Sequence, residues 1–163
     1  MNYPLISDYV SSILSAEDNF KELTHLRPVL DEEGQPIMNS GNFAVVFKMK
    51  DEQTGKLYAV KCFLKEQEGR AESYKLIEEE LEFVSSNYLT PIRYMEDELF
   101  VDSSNTDETE FPILLMDWVE GETLDKYVEF YKKNMGENLP PLIYAMAIVL
   151  EEVKRNGDNR YGV

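Results

Sequence analysis

The sequence has very little cysteine and histidine. Its 163 residues include one cysteine, Cys62, and one histidine, His25. No intrachain disulfide can therefore form, and a zinc site of the Cys and His type cannot be assembled. We expect no resident metal, and we expect the protein to work in a reducing compartment such as the cytoplasm.

Long hydrophobic runs and positive charge are scarce as well. No apolar run approaches the roughly 18 residues that a membrane-spanning helix needs, and the first residues lack the basic start of a secretory signal. The sequence has 16 Lys and Arg residues and 32 Asp and Glu residues, which gives a formal net charge of -16. Such a field repels nucleic acids and anionic lipid surfaces, so neither is an expected partner. A bound anion would need a locally positive pocket.

Helical periodicity dominates the first 25 residues. Apolar residues recur at helical spacing between Leu5 and Leu14. Ser15 and Asp18 then offer a capping box for a second short helix that runs to Leu23. We interpret residues 1–25 as an N-terminal helical extension.

The rest of the chain contains both strand and helix patterns, and their order predicts an α+β fold. Strands are grouped rather than alternating with helices, which favours an antiparallel sheet of five or slightly more strands with one packed helix. The predicted strands are Leu26 to Leu30, Gln35 to Met38, Phe43 to Met49, Lys56 to Leu64, Leu89 to Tyr94, Glu98 to Val101 and Phe111 to Met116.

One helix is predicted from about Gln67 to Ser85, between the fourth and fifth of these strands. Its apolar stripe of Tyr74, Ile77, Leu81 and Val84 should lie on the sheet. Two further helices are expected near the end of the chain, from Thr123 to Lys133 and from about Leu142 to Lys154.

A lysine inside an apolar strand is the main chemical signal. The run Tyr58-Ala59-Val60-Lys61 places an ammonium where it should not sit unpaired. Lys61 could be an edge-strand lysine whose charge reaches water. Alternatively, it is held over a cleft and paired with a helix glutamate and ligand phosphates. Glu78 is the preferred partner and Glu80 the alternative, although either carboxylate could belong to a solvated face.

A glycine-containing turn precedes the lysine strand. In Asn39-Ser40-Gly41-Asn42-Phe43-Ala44-Val45-Val46, small residues would let backbone N–H groups approach a phosphate closely. Taken alone, a single glycine between polar residues is more typical of a plain hairpin turn. The lysine strand that follows makes the phosphate-binding interpretation stronger.

Taken in order, these segments resemble the small lobe of protein kinases. The set comprises a glycine hairpin with an aromatic tip, a strand ending in Ala-Val-Lys, a helix with an acidic face and two more strands. The last strand leads into Met-Asp-Trp-Val-Glu-Gly-Glu-Thr-Leu, which looks like the family's gatekeeper and hinge. The amino-acid sequences of these segments are similar to those of bacterial Ser/Thr kinase-like proteins. The resemblance covers about Leu26 to Tyr131. It implies a small lobe at 26–121, followed at 122–163 by helices that begin an incomplete large lobe.

The resemblance implies an adenine-nucleotide site for ATP with Mg²⁺. Asn39 and Ala44 stand where the first and third glycines of the family's loop usually are, which weakens closure over the phosphates. The implied site residues are Gly41, Asn42 and Phe43 in the loop, Val46 and Ala59 around adenine, Lys61 at the phosphates, Met116 as gatekeeper, and Asp117 and Val119 in the hinge.

The catalytic motifs of the family are missing from the sequence. There is no Asp-Phe-Gly, Ala-Pro-Glu or His-Arg-Asp, and Asn156 to Arg160 only faintly resembles a catalytic loop. Asp158 is therefore a remote catalytic candidate, and a frayed polar terminus is the simpler interpretation. We expect the chain alone to be inactive, because it ends before the catalytic and metal-binding segments.

Two alternatives remain open. The chain could be a non-enzymatic, pseudokinase-like interaction module that forms a homodimer or binds a partner protein, including a missing large lobe. It could also derive from a small-molecule phosphotransferase that shares the same lobe.

Overall fold

A computed structural model describes residues 2–82, 89–121 and 124–135, together with positions 140, 143 and 148. These residues form four helices and six strands. The helices are α1 (Ile6–Leu14), α2 (Ala16–Asn19), α3 (Arg70–Glu82) and α4 (Leu124–Met135), and the strands are β1 (Leu26–Pro28), β2 (Met38–Ser40), β3 (Ala44–Asp51), β4 (Leu57–Phe63), β5 (Ile92–Phe100) and β6 (Glu110–Asp117).

The chain divides into two compact units, Met1–Trp118 and Val119–Val163. The first unit holds the whole sheet and α1 to α3, and α4 belongs to the second. The predicted α+β class with an antiparallel sheet is confirmed, and the sheet has six strands. Within the described ranges, no helix combines the length and the apolarity needed to cross a membrane.

The lysine strand β4 lies in the middle of the sheet. The strand order is β1, β3, β4, β6, β5, and β2 also pairs with β3. β1 aligns with Met49–Asp51 and β2 with Val45–Phe47, so together they form one interrupted outer strand. β4 therefore has a hydrogen-bonded neighbour on both sides, and its residues cannot reach water at a sheet edge.

The N-terminal helices are part of the core of the first unit. Tyr9 and Ile13 are fully buried. The Tyr9 ring meets Phe111 of β6 edge-on at 6.3 Å between centroids, and its hydroxyl donates a 2.7 Å hydrogen bond to the carbonyl of Phe63. Burial raises the pKa of Tyr9, which keeps the phenol a neutral donor. The extension thus packs against the sheet.

The segment after α2 joins the far edge of the sheet. Phe20 forms an isolated antiparallel bridge with Leu99 of β5. The buried carboxylate of Glu98 accepts hydrogen bonds from the backbone N–H groups of Glu22 and Leu23, at 2.9 and 2.8 Å. A buried carboxylate with two backbone donors is well compensated, so this contact fixes the path of the chain.

Several predicted boundaries were wrong, and the strand expected at Gln35 to Met38 lies at Met38–Ser40. The second helix was expected to run to Leu23 from a Ser15 cap, but it ends at Asn19 and Ser15 makes no side-chain cap. The strands expected at 89–94 and 98–101 form one strand, β5, with a register irregularity between Met95 and Leu99. Phe20 pairs with Leu99 where the second helix was expected to continue, whereas β5 is held as one strand by its pairing with β6 on both sides of the irregularity.

The apolar stripe predicted for α3 was also wrong in part. Ile77 is 45% exposed and Leu76 is 60% exposed, whereas Tyr74, Glu78 and Leu81 are half-buried. The face toward the sheet therefore includes a carboxylate, and it is rotated from the face that hydrophobicity alone suggested. Residue 84 lies outside the described residues, as does nearly all of the helix predicted at 142–154.

The turn between β3 and β4 follows its prediction. Asp51 accepts hydrogen bonds from the backbone N–H of Gln53 at 2.8 Å and from the Thr54 hydroxyl at 2.6 Å. The Thr54 hydroxyl in particular holds the pKa of Asp51 below its usual value. Gly55 has φ of 76°, a conformation that favours glycine. This turn sets the register of the lysine strand.

Replacing Tyr9 with Phe tests whether the N-terminal extension stabilises the sheet. The Tyr9→Phe variant keeps the ring but removes the donor to Phe63, so the free energy of unfolding should fall by about 1.5 kcal/mol. Ser11→Ala removes an exposed hydroxyl of the same helix and should change it by less than about 0.5 kcal/mol. Urea denaturation gives both values, and equal effects would contradict the assigned role.

Candidate functional site

The register of the central strands collects four predicted site residues on one face of the sheet. Val46 on β3 stands opposite Lys61 on β4, and Ala59 on β4 stands opposite Met116 on β6. Directly opposed residues point to the same side of a sheet, and so do residues two apart on one strand. Val46, Ala59, Lys61 and Met116 therefore share one face, which we call the Lys61 face.

The Lys61 face is largely apolar and lies on the side of α3. Ala59 and Leu114 are 7% and 3% exposed, while Val46, Lys61 and Met116 are half-buried. The opposite face carries side chains that are fully buried against the N-terminal helices: Val45, Phe47, Val60, Cys62 and Ile113. The two faces are thus chemically distinct, and the one that carries a charge is the less enclosed.

The Lys61 ammonium is held by aromatic groups. Its Nζ donates a 3.1 Å hydrogen bond to the hydroxyl of Tyr74 on α3. It also lies 5.7 Å from the ring centroids of both Phe63 and Tyr74, within the range of a cation–π interaction. Within the described residues, no carboxylate lies at ion-pair distance from this ammonium. The charge is therefore stabilised but not neutralised.

The two glutamates proposed as partners of Lys61 lie in different environments. Glu78 is half-buried, and its Oε2 accepts a 2.9 Å hydrogen bond from the backbone N–H of Tyr94 on β5. Glu80 is exposed. The helix thus presents Glu78 to the sheet, but it anchors the helix to β5 and is not joined to Lys61. Whether Glu78 contributes to ligand binding stays a prediction.

The predicted loop residues form the exposed tip of the hairpin between β2 and β3. Gly41 donates a 2.9 Å backbone hydrogen bond to Ala44, and the Phe43 side chain is 51% exposed. Gly41 has no left-handed φ, and a Cβ there would meet nothing within 4 Å. The turn itself therefore does not require glycine at position 41.

Positive charge gathers at the end of β4. Arg70 is buried and its guanidinium stacks on Phe63 at 4.1 Å, while Lys65 lies 5.4 Å from the ring of Phe43 at the hairpin tip. Arg70 also donates to the Tyr3 hydroxyl at 2.8 Å and to the Lys65 carbonyl. Lys61 and Arg70 both lie over the ring of Phe63, so two of the chain's cations meet at this end of β4.

Sequence analysis missed Tyr74 and Arg70 as members of this cluster. Tyr74 was assigned to an apolar stripe and Arg70 was given no role. One signal was available, since Tyr74 lies four residues before Glu78 and must share its helix face. Nothing in the local pattern indicated that Arg70 would be buried against an aromatic ring.

The segment after β6 is tied to the start of β4. The Asp117 carboxylate forms a 2.7 Å ion pair with Lys56, and this bond raises the pKa of Lys56. The backbone N–H of Trp118 donates to the carbonyl of Leu57 at 3.1 Å. Val119, which begins the second unit, is 70% exposed. The remote candidate Asp158 lies outside the described residues.

Comparison with known proteins adds no assignment. A scan against protein-family models finds no match, and a search of curated proteins also finds none. Within the described ranges, no three His, Cys, Asp or Glu residues are grouped so as to hold a metal ion. A function is therefore inferred from the geometry of the Lys61 face.

Substitution of the two helix glutamates tests which of them anchors α3. Glu78→Ala removes the acceptor of the Tyr94 N–H and should lower the free energy of unfolding by about 1 kcal/mol. Glu80→Ala makes the same change in helix propensity at an exposed position and should have almost no effect. Chemical denaturation of both variants distinguishes them, and a larger loss for Glu80→Ala would overturn this orientation of α3.

Proposed function

We propose that the chain is a kinase-like lobe that binds an adenine nucleotide on the Lys61 face. The main support is the pairing register of β3, β4 and β6, which places Val46 opposite Lys61 and Ala59 opposite Met116. These are the residues that the family resemblance assigns to the phosphates, to adenine and to the gatekeeper position.

The order of elements supports this proposal. Because β1 and β2 form one interrupted outer strand, β4 is the third strand of the meander, and in protein kinases the phosphate-binding lysine lies on the third strand. A helix and two further strands follow, and then α4. The glycine hairpin connects the first and second strands of that meander, as the family's phosphate loop does.

The chemistry of the Lys61 face is compatible with such a ligand. Ala59, Val46 and Met116 offer an apolar surface on which a purine ring could lie. Lys61 offers an ammonium that no described carboxylate neutralises, and phosphate groups would supply the missing negative charge. Gly41, Asn42 and Phe43 at the hairpin tip would approach the phosphates, and the backbone at Asp117 would meet the adenine edge.

The proposal covers nucleotide binding and not phosphoryl transfer. Phosphoryl transfer needs positioned metal ligands and a base, and the sequence lacks the family motifs that supply them. Mg²⁺ would arrive with the nucleotide phosphates. Protein kinases and small-molecule phosphotransferases share such a lobe. The protein-kinase alternative is preferred because the sequence of the hinge segment resembles that of bacterial Ser/Thr kinase-like proteins.

The cytoplasm is the proposed site of action. Cys62 is a free and fully buried thiol, and burial raises its pKa, so it is a packing residue rather than a reactive one. ATP is also available there.

Titration with ATP and Mg²⁺ in a thermal-shift assay tests the proposed function. A ligand that binds the folded state raises the melting temperature of the wild-type chain. Lys61→Met removes the ammonium and should weaken ATP binding by about tenfold or more, because hydrogen bonds to charged groups contribute about 1.5 kcal/mol or more. Lys21→Met removes an equal charge from an exposed position and should leave the shift unchanged. Equal shifts in wild type and Lys61→Met would exclude Lys61 from the site.

A second candidate function, a non-enzymatic interaction module, is favoured by the surface of α4. Phe130 is 62% exposed, and Tyr127 and Met135 are each 43% exposed. Phe130, Tyr127, Tyr131 and Lys126 line a depression of about 550 Å³. Exposed aromatic side chains grouped on one helix commonly mark an interface, and pairing of two copies would bury them.

Sedimentation velocity over a hundredfold range of concentration tests this second candidate. If α4 mediates a homodimer, the wild-type chain should shift from dimer to monomer on dilution, and Phe130→Asp should be monomeric throughout. Glu129→Ala, at a neighbouring exposed position, should behave like wild type. A wild-type chain that stays monomeric at every concentration would remove homodimerisation from consideration.

A further inference from the structure

The Tyr74 hydroxyl is the part of the Lys61 face that the family resemblance does not assign. It accepts the 3.1 Å hydrogen bond from the Lys61 ammonium, which leaves the phenolic proton free to be donated. Within the described residues, the hydroxyl makes no second hydrogen bond. An ammonium and a phenol O–H are therefore presented side by side, and both are donors.

The Tyr74 ring is held firmly in this position. It stacks on Tyr94 with centroids 5.7 Å apart and an interplanar angle of 11°, and it meets Phe63 at 5.9 Å. Phe63 belongs to the strand of Lys61 and Tyr94 to β5, so three elements fix the hydroxyl relative to the ammonium. Donors that are already in place lose little freedom when a ligand binds.

We propose that Lys61 and Tyr74 form a two-donor subsite for a phosphate group, in which the ammonium and the phenol each donate to a phosphate oxygen. This inference rests on the proposed nucleotide-binding function and adds a ligand-contacting residue to it. A carboxylate beside Lys61 would add only an acceptor at this position, whereas a phenol adds a second donor. The ligand class is the phosphate group of an adenine nucleotide, since an anionic phosphate oxygen can accept from both donors and also offsets the charge of the ammonium.

Isothermal titration calorimetry of the full chain with three probes tests the subsite. The probes are ADP, adenosine and inorganic pyrophosphate, and the variants are Tyr74→Phe and Tyr94→Phe. Tyr74→Phe keeps the stacked ring and loses only the hydroxyl, so its affinity for ADP and for pyrophosphate should fall about tenfold while its affinity for adenosine stays unchanged. Tyr94→Phe loses a neighbouring hydroxyl that does not contact Lys61, and it should match wild type for all three probes.

The outcomes separate this inference from the proposed function. If ADP binds wild type and Tyr74→Phe equally, the subsite is overturned and the nucleotide site stands. If pyrophosphate binds in a Tyr74-dependent way while adenosine does not bind and ADP binds no better than pyrophosphate, the subsite stands and the adenine site fails. If wild type binds none of the three, both are overturned. The melting temperature of Tyr74→Phe confirms that the variant is folded.

Discussion

The ammonium of Lys61 has to be stabilised on a half-buried and largely apolar face of the sheet, which also carries Lys48 opposite Ala59. Because β4 is a central strand, Lys61 cannot place its charge at a sheet edge. A half-buried charge without polar partners would cost several kcal/mol, and here the Tyr74 hydroxyl and two aromatic rings supply the compensation. Tyr74 belongs to α3, which packs chiefly against β5 and reaches Lys61 of β4 through this side chain.

The other side of the sheet is covered by the chain's own N-terminus, and that allows the Lys61 face to remain the open one. Tyr9 and Ile13 cover the fully buried residues of the opposite face, and the Glu98 carboxylate secures the connecting segment. The first unit thus has a complete core on one side of the sheet. The half-buried residues Val46 and Lys61 of the central strands lie on the side where a ligand is proposed.

The sequence predicted well those features that depend on local chemistry. The Gln53-Thr54-Gly55 turn forms as expected, because Asp51 caps it and Gly55 takes a positive φ. The lysine strand and the strand of Met116 were also predicted close to their observed bounds, since an apolar run between turn residues is a strong signal. These two strands supply most of the candidate site.

What the sequence did not predict depends on pairing between distant segments. Phe20 ends α2 early because it pairs with Leu99, about eighty residues further along the chain. The predicted orientation of α3 was wrong because a polar residue, Glu78, finds a backbone donor on β5, whereas Ile77 is 45% exposed. Hydrophobic periodicity does not show which distant segments pair or which polar groups find hydrogen-bond partners. For that reason Tyr74 was predicted to be a packing residue and not the hydrogen-bond partner of Lys61.

Three contacts hold α3 beside Lys61, and one of them involves the Lys61 ammonium itself. Tyr74 connects it to β4 and Glu78, one turn later, connects it to β5, while Arg70 fixes its first turn against Phe63 and Tyr3. A ligand that draws the Lys61 ammonium toward itself would act on the Tyr74 hydroxyl as well, because the two groups share one hydrogen bond. The Glu78 and Arg70 anchors oppose any displacement of the helix. α3 would therefore stay in place when a ligand binds Lys61, and the hydrogen bond between Lys61 and Tyr74 is the contact that would change.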